Sequence, residues 1–269
     1  MKRRQISQIS ITILLSLLAM MTISCEKEID VNLRSVDPIL VIEGKVMEDS
    51  LVKVRLTTTK DFYSENEFPP VTKAEVIVSD NSGNKETLIL NPDGWYTTNG
   101  IKGVIGKSYL LTVIHEGKTY TATSTMPSLV KIDSIMFQQL PILDYPFPIL
   151  CFSDPSGEEN QYYRYIVYVN DKRIKRNRET ISAEFVDGYP LKQIVSLFFD
   201  QSEDDKKELE KGDVITIDLY SIDKGTYLFF ETLGDIENSL NNPTTNISGG
   251  ALGYFGAYPM DRKTITADW

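Results

Sequence analysis

Val52-Lys53-Val54-Arg55-Leu56-Thr57 places an apolar side chain at every second position, with Lys, Arg and Thr between them. Successive side chains of a strand point to opposite faces, so this spacing predicts a strand buried on one side only. The same period recurs on both sides of it. Ile39 and Val41, running into Gly44-Lys45-Val46, predict an earlier strand, and Ala74, Val76 and Val78 predict a later one. Asn81-Ser82-Gly83-Asn84 turns that strand into Lys85–Leu90, which reads as a hairpin. Asn91-Pro92-Asp93-Gly94 makes a further turn before Trp95-Tyr96, and Glu116-Gly117 joins Tyr109–His115 to Lys118–Ser124. Short strands at this spacing predict an antiparallel sandwich, and residues 36–127 match the ~100-residue size of an immunoglobulin-like domain. No cysteine pair is available to bridge its sheets, so the assignment rests on pattern.

Past Met126-Pro127 the texture changes. Tyr162-Tyr163-Arg164-Tyr165-Ile166-Val167-Tyr168-Val169 is strongly strand-forming, with Asn170-Asp171 as its turn. Ile215, Ile217 and Leu219 mark another strand within Asp213–Ser221. Between them, Ser202 and Asp205 resemble a capping box that starts a short, solvated helix stopped by Gly212. A stronger helix follows Asp223, near 224–241, where Tyr227, Phe230, Leu233, Ile236 and Leu240 recur at helical spacing up to Asn241-Asn242-Pro243. The fold class expected is therefore mainly β: an immunoglobulin-like antiparallel sandwich at 36–127, then a β-rich second domain at 128–269 with one packed amphipathic helix.

The N-terminus reads as an export signal. Lys2, Arg3 and Arg4 precede an apolar run, Ile9 to Met21, that is too short to span a hydrocarbon core of ~30 Å comfortably. Thr22-Ile23-Ser24-Cys25 closes it as a lipoprotein processing site, with Thr22 where the commonest form has Leu. Residues 1–24 are then a signal peptide, Cys25 carries lipid, and 25–35 form a polar tether; a plain secreted protein is the alternative. Two or three acyl chains anchor stably where one does not. Losing three basic residues and no acids takes the net charge from −10 to −13, a poor match for nucleic acid. With Cys25 acylated, Cys151 is the one free thiol, within an apolar run where a buried, inert side chain is expected.

Candidate chemistry is sparse. Gly106-Lys107-Ser108 lacks the upstream glycine of a phosphate loop and runs into a strand pattern instead of a helix. Gly249-Gly250-Ala251-Leu252-Gly253 lacks dinucleotide spacing and is better read as a tight turn or a close backbone approach. His115 is the only histidine and sits at a hairpin, so a Cys/His zinc site cannot be assembled within the chain. Asp200, Glu203, Asp204 and Asp205 lack the pattern of a calcium loop, and Asp154, Glu158 and Glu159 flank the turn residues Pro155-Ser156-Gly157. No metal or other cofactor is expected. Aromatic residues in or near predicted loops are more informative: Phe62, Tyr63, Tyr145, Phe147, Tyr254, Phe255 and Tyr258. Exposed rings suit recognition of sugars or peptides, and Tyr63, Tyr145, Phe147, Tyr254 and Tyr258 are the candidate ligand contacts.

The stretch Asn242 to Tyr258, containing Gly250-Ala251-Leu252-Gly253-Tyr254-Phe255, is similar to the C-terminal signature of the Bacteroidota lipoprotein family called domain of unknown function 4249. Cys25-Glu26-Lys27, Leu40-Val41-Ile42-Glu43-Gly44, Lys73-Ala74-Glu75-Val76 and Gly117-Lys118-Thr119-Tyr120-Thr121-Ala122 resemble its recurring pieces. The resemblance implies an outer-membrane lipoprotein, with members often encoded near TonB-dependent receptors, and assigns no catalytic residue. It also implies that Glu26 and Glu28, just after the lipidated cysteine, direct the chain to the cell surface. The expected role is non-enzymatic ligand capture, or service as an accessory of a TonB-dependent uptake system. A structural or adhesive surface protein is the alternative.

Overall fold

A computed structural model describes residues 37–60, 68–139, 146–157, 161–174, 179–195, 209–234 and 241–269. Cys25, the tether, Tyr63, Tyr145, the capping box at Ser202, the acids of 200–205 and Glu158-Glu159 all lie outside these residues. Pro38–Trp269 forms one compact unit.

The alternating stretch at Val52 is a strand, β2 (Leu51–Thr58), and it pairs antiparallel with β1 (Leu40–Met47). Val52, Val54 and Leu56 are fully buried, as the period requires. On the other side β2 pairs with β6 (Trp95–Lys102), which holds the short β5 (Ile89–Leu90). The facing sheet runs β4 (Lys85–Thr87), β3 (Glu75–Asp80), β7 (Ser108–His115), β8 (Lys118–Thr125). Strands one, two, six and five against four, three, seven and eight give the ABED and CFG order of an immunoglobulin-like sandwich, with a C′ strand added. One core fills the space between the sheets, including Ile42, Val54, Val78, Leu111 and Val113.

Turn chemistry sets the registers. Glu116 and Gly117 take φ of 49° and 75°, and Asn170 and Asp171 take 49° and 64°, so both two-residue hairpins use the left-handed turn that suits strand twist. The span Lys85–Leu90, expected as one strand, divides at Leu88: β4 pairs with β3, and β5 crosses to the other sheet to pair with β6. Leu88 is buried at the crossing, so burying this apolar side chain between the sheets takes precedence over continuing one ladder.

The second half is also a sandwich. One sheet is β14 (Pro190–Ile194), β10 (Pro146–Ser153), β9 (Ile132–Gln139). The other is β12 (Lys172–Ile174), β11 (Tyr162–Val169), β15 (Val214–Ile222), β17 (Met260–Thr266), with β13 (Thr180–Ser182) also on β11. Leu150 and Phe152 meet Tyr163, Tyr165, Val167, Ile215, Ile217 and Leu219 in its core. Cys151 is buried and free, as its apolar setting implies.

One strand departs from this serial arrangement. β16 (Leu252–Tyr258) pairs in parallel with β1, Val41 against Leu252 through Met47 against Tyr258, and so extends the edge of the first sheet with C-terminal residues. Phe255 enters the first core, where its Cδ2 lies 2.7 Å from the place a Cβ on Gly44 would take. Gly253 has φ of 99°, and a Cβ there would stand 2.0 Å from the Ile42 carbonyl oxygen; this is the close backbone approach that its glycines predict. The outer edge of β16 is sealed by side chains. Asn246 donates through Nδ2 to the Phe255 carbonyl at 2.8 Å and accepts the Phe255 N–H at 3.0 Å, imitating a neighbouring strand. Thr245 donates to the Gly253 carbonyl at 2.8 Å, and Ser124 of β8 accepts the Ala257 N–H at 2.7 Å.

Helix α1 (Lys224–Gly234) packs on β16. Asp223 caps it by accepting the Thr226 N–H at 2.8 Å, and the same carboxylate accepts the Ser124 hydroxyl, so cap, helix and both sandwiches share one polar chain. The predicted stripe on Tyr227, Phe230 and Leu233 is displaced. Thr226 and Phe229 are the buried residues and Leu233 is 41% exposed, because α1 approaches β16 closely at Gly256, where a Cβ would stand 2.6 Å from Thr226 Oγ1.

Candidate functional site

The sheets of the two sandwiches turn one face toward each other. On the first sheet, the residues that alternate away from the core are Glu43, Lys45 and Met47 of β1, with Tyr254 and Tyr258 on β16 beside them. On the second, Arg164 and Ile166 of β11 stand beside Tyr220 and Asp218 of β15, with Arg262 of β17 next along the row. These faces and Phe230 of α1 enclose a cavity of about 170 Å³ lined by Glu43, Lys45, Arg164, Tyr220, Tyr254 and Tyr258, among others.

Arg164 is the central cation. Its guanidinium lies 3.6 Å from the ring centroid of Phe230, a cation–π contact, and its Nη2 donates to Glu179 at 2.8 Å. Glu179 also receives Arg173 at 3.0 Å, so two arginines share one carboxylate. Arg164 Nε is buried and finds no acceptor among the described residues. Phe229 and Phe230 both pack on Tyr254 with centroids 4.8 Å apart, and Tyr220 meets Tyr258 edge-on at 5.5 Å. The hydroxyls of Tyr258 and Tyr254 hydrogen-bond to each other. Burial, with the Glu43 charge adding and Arg164 opposing, pushes Tyr254 up to about 12, and burial raises Tyr258 well above the ordinary tyrosine value. Both therefore stay protonated at physiological pH and act as hydrogen-bond donors.

Beyond the cavity the first sheet continues as a ledge. Register places Arg55 beside Glu43, Lys53 beside Lys45, and Trp95 beside Arg55. Lys45 Nζ lies 4.7 Å above the Trp95 ring. Lys45, Lys53 and Arg55 form no ion pair with a carboxylate among the described residues, and Glu43 forms neither ion pair nor hydrogen bond there. On the facing sheet Arg262 is already bound to Asp218 through both Nε and Nη2, at 2.5 and 2.7 Å.

A second, open groove lies on the first sandwich around Asp80, Lys85, Glu86, Lys102 and Lys107. Its carboxylates serve the chain itself. Asp80 pairs with Lys107 at 2.7 Å, and Glu86 accepts the N–H groups of Asn99, Gly100 and Ile101. That leaves the cleft between the sandwiches as the better candidate.

Of the candidate ligand contacts read from sequence, Tyr254 and Tyr258 line this cleft, from a strand and not from a loop. Phe147, read as an aromatic in or near a loop, instead sits buried within β10. Asp154, raised as a glycosidase carboxylate, is buried and accepts the Tyr163 hydroxyl at 2.5 Å. His115 bonds the Lys73 carbonyl at 2.8 Å beside its hairpin. Glu43, Lys45, Arg164, Tyr220 and Phe230 were missed. One signal was available, since Arg164 is the only charge in an eight-residue aromatic and aliphatic strand.

Among the described residues no group of three or more His, Cys, Asp and Glu side chains is placed to hold a metal ion, and no helix is long and apolar enough to cross a membrane. No curated protein matches the chain. A family model described as Domain of unknown function (DUF4249) matches residues 26–264, and the chain belongs to that family.

Proposed function

We propose that this DUF4249 chain is a lipid-anchored outer-membrane protein, displayed on the cell surface, that captures a ligand without altering it and serves a TonB-dependent uptake system. The cleft carries the capture reading. It combines aromatic walls with an arginine Nε and a glutamate that no described residue satisfies, the mix of apolar surface and a few convergent polar groups typical of a binding pocket. The anchor reading is supported by Lys2-Arg3-Arg4, the short apolar run and Cys25 at the end of Thr22-Ile23-Ser24-Cys25. The only histidine, bonded to the Lys73 carbonyl, is not among the residues that line the cleft, so the cleft has no histidine to activate a nucleophile.

Protease shaving of intact cells, followed by crosslinking and affinity purification, tests the whole reading. Surface cleavage together with recovery of a TonB-dependent receptor is the expected result; recovery of the protein alone removes the receptor from the proposal. Cys25→Ala is expected to move the protein out of the membrane fraction, and a variant that still sediments with outer membrane refutes the lipid tether.

A structural or adhesive role is the second reading, favoured by Phe185 and Tyr189, which are 98% and 68% exposed on one loop of the second sandwich. A deletion strain with normal uptake and defective attachment selects it.

A further inference from the structure

Resting on the capture reading, we infer that the cleft binds the end of an acidic oligosaccharide, one sugar ring in the cavity and the following units along Lys53 and Arg55. Four observations lead there. The cavity lining sets donors and acceptors side by side: the Arg164 side chain, whose Nε has no acceptor among the described residues, and the Tyr254–Tyr258 hydroxyl pair against the Glu43 carboxylate. A ligand that satisfies both kinds of group at this spacing must itself be both donor and acceptor, which is the property of a ring of hydroxyl groups. Phe230 and Tyr254 give it apolar faces to lie against.

Size limits what enters. At about 170 Å³ the cavity is smaller than the ~300–1,000 Å³ sites that bury drug-sized ligands, so a chain of several rings cannot lie wholly inside it. Anything longer must continue outside the cavity, and on the first sheet the ledge of β1 and β2 runs on from it. Among the described residues that ledge carries Lys45, Lys53 and Arg55 against Glu43, on a protein whose net charge is −10. A local excess of uncompensated cations on an acidic molecule selects a ligand of negative charge.

A peptide fits less well. Peptides that bind sheets add a strand to a free edge, drawing affinity from main-chain hydrogen bonds. Here the edge strand of the cleft, β16, has its outward groups occupied by Asn246, Thr245 and Ser124.

The test is calorimetric titration of the full-length protein, held in a sugar-free detergent, with three probes: trigalacturonate, the neutral galactotriose and triglutamate. Trigalacturonate is expected to bind and galactotriose to bind at least ~10-fold more weakly, as loss of a charge-assisted hydrogen bond implies. Lys45→Gln and Tyr254→Phe should each weaken trigalacturonate by ~10-fold or more, while Lys85→Gln, in the other groove, leaves it unchanged. Lys45→Gln alters a partly exposed strand residue, and an unchanged melting curve shows that its effect is on binding. Binding should also quench or shift Trp95 emission as the ligand draws Lys45 off the ring, and Trp95→Phe should abolish that signal. Equal affinity for galactotriose overturns the negative charge, and equal affinity for triglutamate overturns the saccharide. Silence from all three probes overturns the ligand class while leaving capture itself to be judged by the surface and crosslinking experiment.

Discussion

Replacing Gly44 by Ala should destabilise the protein in the native background and stabilise it once Phe255 has been cut to Ala. An added Cβ at Gly44 would stand 2.7 Å from Phe255 Cδ2, closer than such contacts occur, while its next non-Phe255 neighbour, Leu111 Cδ2, is at an ordinary 3.6 Å. Gly44 lies in β1 outside the left-handed region, so its backbone accepts Ala without strain. The clash then decides the sign: about 1–3 kcal/mol lost through overpacking. Phe255→Ala removes a fully buried ring and should cost about 3–5 kcal/mol. In that background the new methyl group projects into the space the ring vacated. Ala for Gly should now gain about 0.4–1 kcal/mol by restricting the unfolded chain, together with some recovered packing. The double variant is thus more stable than Phe255→Ala alone, with a coupling of about 2 kcal/mol between two residues on strands from opposite ends of the sequence. Urea melts of the four proteins measure it. Additivity within about 0.5 kcal/mol would mean that β16 does not occupy this slot in solution, and the parallel pairing would fall with it.

Three further outcomes follow from the same contacts. Ser124→Ala leaves the buried Ala257 N–H without its acceptor and removes the hydroxyl donor to Asp223 Oδ2, while Asp223 Oδ1 keeps the Thr226 N–H, and should cost about 2–4 kcal/mol in thermal or urea melts. Asn246→Ala opens the edge of β16 at Phe255 and should speed amide exchange there well before exchange rises in β2; uniform exchange would show that the edge is not what Asn246 protects. Hydrogen bonds from Lys107 and Asn84 hold Asp80 well below the usual carboxylate range, so its contribution is present above about pH 4 and is lost as pH falls toward the lowered folded value. Asp80→Asn should therefore flatten the acid limb of the stability–pH curve below about pH 4, and an unchanged limb would refute the linkage.

Local features were legible because their causes are local. The period at Val52, the left-handed hairpins at Glu116-Gly117 and Asn170-Asp171, and the start of α1 at Asp223 each depend on neighbouring residues, and each is found where its residues put it. The division at Leu88 was hidden because Lys85–Leu90 keeps a strand pattern while changing sheets. Glu43 and Lys45 look like ordinary solvent-facing residues of an alternating strand, and only the opposing β11–β15 face makes them walls of a cavity. Tyr254 and Tyr258 were singled out as loop aromatics; they reach the cleft because glycine at 253 lets β16 lie against β1. Periodicity states which side chains point inward. It does not state which distant strand becomes a neighbour.

That neighbour also imposes a timetable. Val41 of β1 pairs with Leu252, 211 positions later, so during synthesis at ~5–20 residues per second the first sheet waits about 10–40 s for its last strand. Until then β1 presents an open edge and an unfilled slot beside Gly44, the kind of surface that recruits wrong partners. A chain broken anywhere before Leu252 leaves both sandwiches unfinished, since the segment that fills the first core also supports α1 and the shared cleft. Residues 252–266 thus work as a receipt for what precedes them: without them the first sheet cannot close.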